Sequence, residues 1–221
     1  MREPLARLSE RHTIEVPRTA RYHLQAGAGT VLETWFVLHG YGQLAEPFLA
    51  SLAPMVRPGR LLVAPEGLSR YYLRRGTGTV GASWMTREER AHEIHDMLRY
   101  LDLLWDALRP RFGTRPTSLT AFGFSQGGAA AARWAVLGRA PVERFVSWGC
   151  PLPLDLDLGA HTERVRALRW TFALGDEDTS IDRAAHAAGL ERLRALGVQP
   201  RELRFRGGHE LEPGLLALVG E

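Results

Sequence analysis

The sequence predicts an α/β fold in which a mostly parallel, eight-stranded sheet is covered by helices on both faces. Apolar, β-rich runs alternate with helix-like segments along most of the chain, and this alternation is typical of parallel sheets. The chain has 221 residues, 45% of them hydrophobic and 24% charged, which suffices for a buried core without a metal or a disulfide. No repeat or shift in composition divides it, so we expect one domain, residues 1–221.

The predicted strands begin with two short runs on either side of Pro17, at Arg11–Val16 and Ala20–Gln25. We expect them to form an N-terminal antiparallel hairpin. The other six strands are predicted at Glu33–Leu38, Arg60–Ala64, Thr117–Phe122, Glu143–Trp148, Ala167–Leu174 and Arg201–Phe205. Because ligand sites in parallel sheets lie beyond the carboxyl ends of the strands, candidate functional residues are sought there.

Helices are expected between these strands. They are predicted at Pro47–Met55, from Thr86 to Pro110, and at Ser125–Leu137, Ile181–Leu196 and Pro213–Val219. The helix that begins at Thr86 is expected to carry Glu88 and Glu89 in its first turn, where the helix dipole favours negative charge. Its apolar residues recur every three or four positions, which predicts one buried face. The residues between Glu66 and Trp84 form a long loop, and loops of this length in a compact domain are usually functional.

The composition excludes several kinds of chemistry. The chain contains no lysine and no asparagine, which rules out Schiff-base chemistry and the lysine-dependent phosphate loop. Its net charge of +3 comes from scattered arginines rather than a basic stripe, so no nucleic-acid partner is expected. A single cysteine, Cys150, and the lack of a signal peptide or a membrane span favour a cytoplasmic location.

The segment Phe122-Gly123-Phe124-Ser125-Gln126-Gly127-Gly128 contains the pattern Gly-x-Ser-x-Gly at a predicted strand-to-helix junction. In this nucleophile-elbow pattern, a serine sits in strained backbone at a sharp turn, and the glycines give the chain room to reverse. The helix that follows points its amides and its dipole at the same place, where they would stabilise an oxyanion. Ser125 is therefore the candidate nucleophile.

A serine nucleophile needs a base, and His209 is the preferred one of the eight histidines. It follows the last predicted strand directly, within Arg206-Gly207-Gly208-His209-Glu210. By contrast, His92 and His95 are spaced one residue short of the zinc motif His-Glu-x-x-His, so no metal site is expected there. The group that orients the imidazole is sought among Asp176, Glu177 and Asp178, which follow the preceding strand. Asp155 and Asp157 rank lower, because they lie in a loop rich in proline and leucine.

Two backbone amides are expected to stabilise the tetrahedral intermediate. One is the N–H of Gln126, directly after the nucleophile, and the other is the N–H of Tyr41 in the glycine-rich loop after the strand that ends at Leu38. The side chains of these two residues are expected to matter little. An alternative nucleophile is the thiol of Cys150, but no base lies near it in the sequence.

With these motifs in place, the chain resembles the phospholipase/carboxylesterase family of α/β-hydrolases, which includes the acyl-protein thioesterases. The matching pieces are FVLHGYG, LLVAPEG, the pair Ser83–Trp84, AFGFSQGG, Gly175-x-x-Asp178-x-x-Ile181 and GGHE. The resemblance implies the α/β-hydrolase fold and makes Asp178, rather than Asp176, the catalytic aspartate. This sequence departs from the family pattern in two places. It has Ala173-Leu174 where the family often has a histidine, and it has no asparagine near the loop Glu66–Trp84, which contains the aromatic residues.

The resemblance implies a serine hydrolase that cleaves carboxylic esters through an acyl-enzyme, with thioesterase or lysophospholipase-type activity as the alternative and with no metal or organic cofactor. Because only the loop Glu66–Trp84 lies between the motifs, we expect an open cleft for small to medium acyl chains. Tyr71, Tyr72 and Trp84 are candidates to wall an acyl pocket, and packing of the loop is an equal alternative. Arg74 or Arg75 is a weaker candidate for recognising a negative group. The expected partner is a small-molecule ester, and the expected assembly is a monomer or a homodimer. A binding protein that uses the fold without turnover is the non-enzymatic alternative.

Overall fold

The secondary structure alternates between strands and helices for most of the chain. A computed structural model describes residues 11–74, 76, 78–112 and 118–219. The strands are β1 Tyr22–Ala26, β2 Glu33–Leu38, β3 Arg60–Pro65, β4 Ser69–Tyr72, β5 Val80–Ser83, β6 Ser118–Phe124, β7 Arg144–Trp148, β8 Arg169–Gly175 and β9 Arg201–Phe205. The helices are α1 Ala45–Ser51, α2 Arg90–Leu108, α3 Gln126–Leu137, α4 Thr162–Ala167, α5 Arg183–Ala195 and α6 Pro213–Leu218. No helix within the described ranges is long and apolar enough to cross a membrane.

Seven of the strands form the main sheet, in the order β1-β3-β2-β6-β7-β8-β9. Every neighbouring pair is parallel except β1 and β3, which are antiparallel at one edge. The prediction of a mostly parallel sheet is therefore confirmed. Because six strands run in the same direction, their carboxyl ends share one edge of the sheet, and the loops that leave them meet there.

Helices cover both faces of this sheet, as the alternation of side chains along β2 illustrates. Phe36 and Leu38 point to the face covered by α2, α3, α4 and α5, where the larger core forms. Trp35 and Val37 point to the other face and pack with residues of α1 and α6. Both faces of β2 are thus apolar, which is why the strand reads as a continuous hydrophobic run in the sequence.

The predicted N-terminal hairpin is wrong, and so is the count of eight strands in one sheet. Residues 11–21 contain no strand, and β1 pairs with β3 instead of with the segment before Pro17. The apolar side chains of that segment do not reach the core, since Ile14 is 87% exposed and Val16 is 71% exposed. Because the segment has no buried face to fix its register, it crosses the surface without pairing as a strand. Ion pairs hold it there: Glu15 pairs with Arg99 of α2, and Arg11 pairs with Glu88, which precedes α2.

The predicted long loop between Glu66 and Trp84 contains a short antiparallel ribbon of β4 and β5, separate from the main sheet. Tyr71 of β4 lies opposite Gly81 of β5 in this ribbon. Both strands are only four residues long, which is too short for the sequence to show a clear alternation.

Helix α2 begins later than predicted. Its first residue is Arg90, and Glu89 has a left-handed backbone with φ 47°. The carboxylate of Glu93 accepts hydrogen bonds from the backbone and the hydroxyl of Thr86, which folds residues 86–89 back over the first turn. Glu88 and Glu89 therefore precede the helix. The buried face predicted for this helix is confirmed, with Met97, Leu101, Leu104, Trp105 and Leu108 buried.

A buried charge cluster ties together the amino ends of the parallel strands. Glu33, the first residue of β2, accepts hydrogen bonds from Arg57 at 2.9 Å and from Arg60, the first residue of β3, at 3.0 Å. Its other oxygen accepts from the Trp35 indole at 3.0 Å and from Arg144, the first residue of β7, at 3.1 Å. The guanidinium carbons of Arg60 and Arg144 lie 4.5 and 5.5 Å from the centre of the Trp35 ring, within the range of cation–π attraction.

These contacts determine the ionisation of Glu33. Burial by itself raises the pKa of a carboxyl group, but hydrogen bonds from Trp35, Arg60 and Arg57 outweigh it and lower the pKa of Glu33 to about 2. A carboxyl group whose folded pKa lies below its unfolded value stabilises the fold at pH values above the unfolded pKa. That contribution is lost as the pH falls from about 4.5 towards 2.

We predict that Glu33→Gln lowers the free energy of unfolding by about 3 kcal/mol at pH 7, because the neutral amide leaves the buried Arg60 and the half-buried Arg144 without their counter-charge. The difference between the wild type and the variant should shrink as the pH falls from 4.5 to 2. Urea unfolding at a series of pH values measures this. Glu163→Gln, at an exposed position on α4, is the control, and a difference for Glu33→Gln that does not change with pH would contradict the prediction.

Candidate active site

Ser125 occupies a sharp turn between β6 and α3. Its backbone angles are φ 52° and ψ −123°, a conformation that non-glycine residues adopt only where the surroundings impose it. A side chain at Gly123 would place its Cβ 2.1 Å from the carbonyl oxygen of Gly127, and one at Gly127 would lie 2.1 Å from the carbonyl oxygen of Leu38. The elbow can form only because these two positions lack a side chain, as the sequence pattern predicts.

Asp178 and His209 are in direct contact, although 31 positions separate them in the sequence. His209 Nδ1 lies 2.7 Å from Asp178 Oδ2. The other oxygen of Asp178 accepts the backbone N–H of Ser180 at 2.8 Å, and Asp178 is only 3% exposed. A carboxylate can only accept hydrogen bonds, so Nδ1 carries the imidazole proton and Nε2 is left as the basic nitrogen.

Two backbone contacts hold the loops of Asp178 and His209 together. The N–H groups of Asp176 and Glu177 donate to the carbonyl oxygens of Phe205 and Gly207, both at 2.9 Å. At Gly175, a Cβ atom would lie 2.3 Å from the Gly207 carbonyl oxygen, so the two chains touch backbone to backbone. The ion pair therefore forms on a rigid base rather than between two free loops.

The elbow and the histidine loop meet at the end of β7. The carbonyl oxygen of Trp148 accepts the Ser125 N–H at 2.8 Å, and the Trp148 indole donates to the carbonyl oxygen of Glu210 at 2.7 Å. The ring of His209 lies 5.0 Å from that of Phe124, the residue before Ser125. Sequence reasoning missed Trp148, since a tryptophan at the end of a buried strand reads only as core.

The structure thus brings His209 to Asp178 and to the neighbour of Ser125. Within the described ranges, no hydrogen bond joins the Ser125 hydroxyl to His209. The contact between nucleophile and base therefore stays a prediction, while the orientation of the base is given by the structure.

The two amides predicted to bind an oxyanion lie on adjoining segments. Gly127 packs against the backbone of Leu38 and His39, which places the start of α3 against the loop that contains Tyr41. Among the described residues, neither the Tyr41 N–H nor the Gln126 N–H donates to a protein acceptor. The N–H of Gly40, the residue before Tyr41, is used, since it donates to the Gln43 side chain at 2.7 Å. Two free donors therefore belong to the segments that the sequence pattern singles out.

His39 has a structural place in this loop. It is fully buried, its Nε2 accepts the Gly67 N–H at 3.0 Å, and its Nδ1 lies 2.8 Å from the Gly40 carbonyl oxygen. These partners assign the proton to Nδ1, and burial lowers the pKa of His39, so the ring is neutral. Both ring nitrogens hold backbone groups, which leaves neither for proton transfer.

The three aromatic residues predicted to wall a pocket have different surroundings. Tyr71 faces the loop after β2, and its ring centre lies 5.4 Å from that of Tyr41. Tyr72 is on the opposite side of β4 and is 70% exposed. Trp84 is only 3% exposed, and its indole donates to the carbonyl oxygen of His39 at 2.8 Å. This placement favours Tyr71 as a wall, whereas Trp84 has little surface to offer a substrate.

Cys150 is a poor candidate for a nucleophile. Burial raises the pKa of its thiol to about 11, so the group is protonated at neutral pH. Its sulfur lies 3.3 Å from the carbonyl oxygen of Pro151, and no basic side chain of the described part of the chain is hydrogen-bonded to it. Of the two arginines considered for recognition of a negative group, Arg74 is exposed and Arg75 lies outside the described residues.

The fold is that of solved α/β-hydrolase structures. Acyl-protein thioesterase 2 from Zea mays superposes with a TM-score of 0.73 at 19% identity, over 91% of this chain and 96% of that one. A carboxylesterase from Mesorhizobium loti gives a TM-score of 0.69 at 20% identity, over 90% and 92% of the two chains. The Bacillus cereus carboxylesterase gives 0.69 at 17% identity, over 90% and 91%. The predicted α/β-hydrolase fold is therefore confirmed.

At these identities the likeness establishes the fold, and the chemistry has to be argued from the residues of this chain. The sequence matches no protein-family model and no curated protein.

We predict that Gly149→Ala displaces the imidazole of His209 and so weakens its contact with Asp178. Gly149 has φ 63°, and a Cβ atom there would lie 3.0 Å from His209 Cε1 and 3.2 Å from His209 Nδ1. The imidazole would have to move, so the low-field NMR signal of the Nδ1 proton should shift upfield or disappear. Gly197→Ala is the matched control, because Gly197 has φ 80° with no atom within 4 Å of the added carbon. Equal spectra for the two variants would contradict the prediction.

Proposed function

We propose that this protein is a serine hydrolase that cleaves carboxylic esters of small to medium acyl chains through an acyl-enzyme intermediate. The observation that carries the proposal is the 2.7 Å contact between His209 Nδ1 and Asp178, formed beside the strained turn of Ser125. A buried carboxylate that fixes one tautomer of a histidine leaves the other ring nitrogen free to take a proton from a hydroxyl. The similar solved structures are of esterases and an acyl-protein thioesterase, which agrees with this chemistry.

In the first step, His209 takes the hydroxyl proton of Ser125 as the serine oxygen attacks the ester carbonyl. The negative charge that develops on the carbonyl oxygen is stabilised by the N–H groups of Gln126 and Tyr41 and by the amino end of α3. Asp178 stabilises the imidazolium and holds its orientation. His209 then donates its proton to the departing alcohol, which leaves the acyl group on Ser125.

In the second step, His209 removes a proton from water as the water oxygen attacks the acyl-enzyme. The same two amides bind the second oxyanion, and the proton returns to Ser125 as the carboxylic acid leaves. Every proton in this cycle passes through His209 Nε2, so the reaction requires no metal or organic cofactor.

The proposed substrate size follows from the surroundings of Ser125. The ribbon β4–β5 lies against the loop after β2, where the Gly42 N–H donates to the carbonyl oxygen of Ala82 at 2.9 Å, and the described residues between Glu66 and Trp84 contain no helix. Tyr41, in the loop after β2, forms an aromatic pair with Tyr71 of the ribbon, and Tyr41 is 60% exposed. An exposed aromatic edge of this kind suits short and medium acyl groups better than an enclosed long chain. The site belongs to one chain, so a monomer or a homodimer would be active.

The first prediction tests the nucleophile. Ser125→Ala should remain folded and lose turnover of p-nitrophenyl acetate and butyrate by at least about 10³-fold, because removal of a catalytic group leaves only the contribution of the oxyanion donors. A fluorophosphonate probe should label the wild type at Ser125 and leave Ser125→Ala unlabelled, as read by mass spectrometry. Cys150→Ala is the control and should be labelled like the wild type. An adduct on Cys150 would favour the thiol, and no adduct at all would favour a non-catalytic binding protein.

The second prediction tests which acid orients the base. Asp178→Asn should lower kcat about 10³-fold to 10⁴-fold, because the amide donates to Nδ1 and so favours the wrong tautomer of His209. Asp176→Asn is the matched control: Asp176 is exposed, and its carboxylate lies 3.7 Å from Arg204 rather than next to His209. That variant should stay within about twofold of the wild type, as expected for an exposed ion pair. Similar losses in the two variants would contradict the assignment.

Thioester hydrolysis is a second candidate, which the likeness to an acyl-protein thioesterase favours. Both ester classes pass through the same acyl-enzyme, so the leaving group distinguishes them. Comparison of kcat/KM for p-nitrophenyl butyrate and butyrylthiocholine ranks the two activities, and a series of acyl lengths from acetate upwards defines the pocket.

A further inference from the structure

The side chain of Gln126 is held in one orientation by the segment Ser83–Met85, which begins at the last residue of the ribbon. Its Oε1 accepts the backbone N–H of Trp84 at 3.1 Å, and its Nε2 donates to the carbonyl oxygen of Met85 at 2.8 Å. The hydroxyl of Ser83 lies 3.2 Å from Nε2. Because a backbone donor and a backbone acceptor face the two ends of the carboxamide, neither a rotated amide nor a carboxylate fits as well.

Trp84 continues this chain of contacts from Gln126 to the loop after β2. Its backbone N–H meets Gln126, while its indole N–H donates to the carbonyl oxygen of His39 at 2.8 Å. The indole ring also packs against the His39 ring, with 4.9 Å between their centres. Trp84 therefore contacts both segments that contain the free amides, one through its backbone and the other through its side chain.

His39, which contacts Trp84, also restrains the backbone of the loop after β2. Its ring bridges the Gly67 N–H and the Gly40 carbonyl group, which fixes the peptide that precedes Tyr41. The residues after Tyr41 are held by two backbone hydrogen bonds to the ribbon. The Gly42 N–H donates to the carbonyl oxygen of Ala82 at 2.9 Å, and the Ala82 N–H donates to the carbonyl oxygen of Gln43 at 3.1 Å. The loop is thus restrained on both sides of the Tyr41 amide.

We propose that Gln126 and Trp84 are positioning residues that set the distance between the two oxyanion donors, the N–H groups of Gln126 and Tyr41. The proposal rests on the function proposed above and gives a role to two side chains that do not touch the substrate. It departs from the expectation drawn from the sequence that the Gln126 side chain matters little, because that side chain is hydrogen-bonded to Trp84 and Met85. The Gln126 carboxamide and the Trp84 indole connect the two donors. Gln126 provides the first donor and is hydrogen-bonded to Trp84, and Trp84 is hydrogen-bonded to the loop that provides the second donor. Oxyanion donors stabilise a transition state only when both reach the same oxygen.

The test compares two buried tryptophans that make the same kind of hydrogen bond. Trp84→Phe keeps an aromatic ring and removes the donor to His39. Trp170→Phe is the matched control, since the Trp170 indole donates to the carbonyl oxygen of Val165 at 2.9 Å and Trp170 is 2% exposed on β8. Trp170 is the second residue of that strand, so it lies towards the edge of the sheet opposite the site. Both substitutions should lower the melting temperature by a similar amount.

Only Trp84→Phe should weaken stabilisation of the oxyanion. We expect kcat/KM for p-nitrophenyl butyrate, normalised to sites titrated with a fluorophosphonate, to fall about 10-fold to 100-fold. The inhibition constant of 1-butaneboronic acid, which forms a tetrahedral adduct on a serine, should rise by a similar factor. A purely structural role would reduce the number of active sites without changing either quantity per site.

Gln126 provides an independent variant if Trp84→Phe does not fold. Gln126→Met keeps the length of the side chain and removes the contacts to Trp84 and Met85, and it leaves the backbone donor in place. It should show the same parallel loss of kcat/KM and of boronic acid affinity.

The outcomes separate this inference from the proposed function. Parallel losses in Trp84→Phe or Gln126→Met, absent from Trp170→Phe, support it. If the wild type turns over esters and these variants match Trp170→Phe per titrated site, the inference is wrong and the proposed function stands. If the wild type neither turns over esters nor reacts with the fluorophosphonate, both are wrong.

Discussion

Trp148 contributes two hydrogen bonds on which the geometry of the site depends. Its carbonyl oxygen accepts the N–H of Ser125, and its indole donates to the carbonyl oxygen of Glu210, directly after His209. Because β7 lies between β6 and β8 in the sheet, this one residue links the elbow on one side to the histidine loop on the other. The strand itself provides no candidate catalytic group, yet it fixes the relation between two of them.

The amino and carboxyl ends of the parallel strands have different physical roles. At the amino ends of the strands, Glu33 neutralises part of a cluster of arginines and is fully satisfied by hydrogen bonds. At the carboxyl ends, the Tyr41 and Gln126 N–H groups have no protein acceptor among the described residues, and the Ser125 backbone is strained. Strain and unpaired donors cost stability, and they persist at one edge because the packing and charge pairing of the rest of the sheet over-determine the fold.

Much of the fold could be predicted from local sequence, since β2, β3 and β6 are apolar runs and their positions are confirmed to within two residues at each described end. The failures have a common cause. The segment before Pro17 has an alternating pattern but no face to bury, and the ribbon strands are too short to show a pattern at all. In both cases pairing with a distant segment, rather than the local sequence, decides whether a strand forms.

By itself, the sequence indicated which groups could do chemistry at the carboxyl edge, because Ser125 lies between the glycines of the elbow and His209 directly follows a strand. The residues alone left Asp176, Glu177 and Asp178 as alternatives, and the family resemblance selected Asp178. The sequence did not determine which of these groups contact one another. The bond between Asp178 and His209, the neutral tautomer of His39, and the path from Gln126 through Trp84 to the loop of Tyr41 arise from segments far apart in the chain. Only packing in three dimensions decides such contacts, since hydrogen bonds between distant residues leave no periodic signal in the sequence.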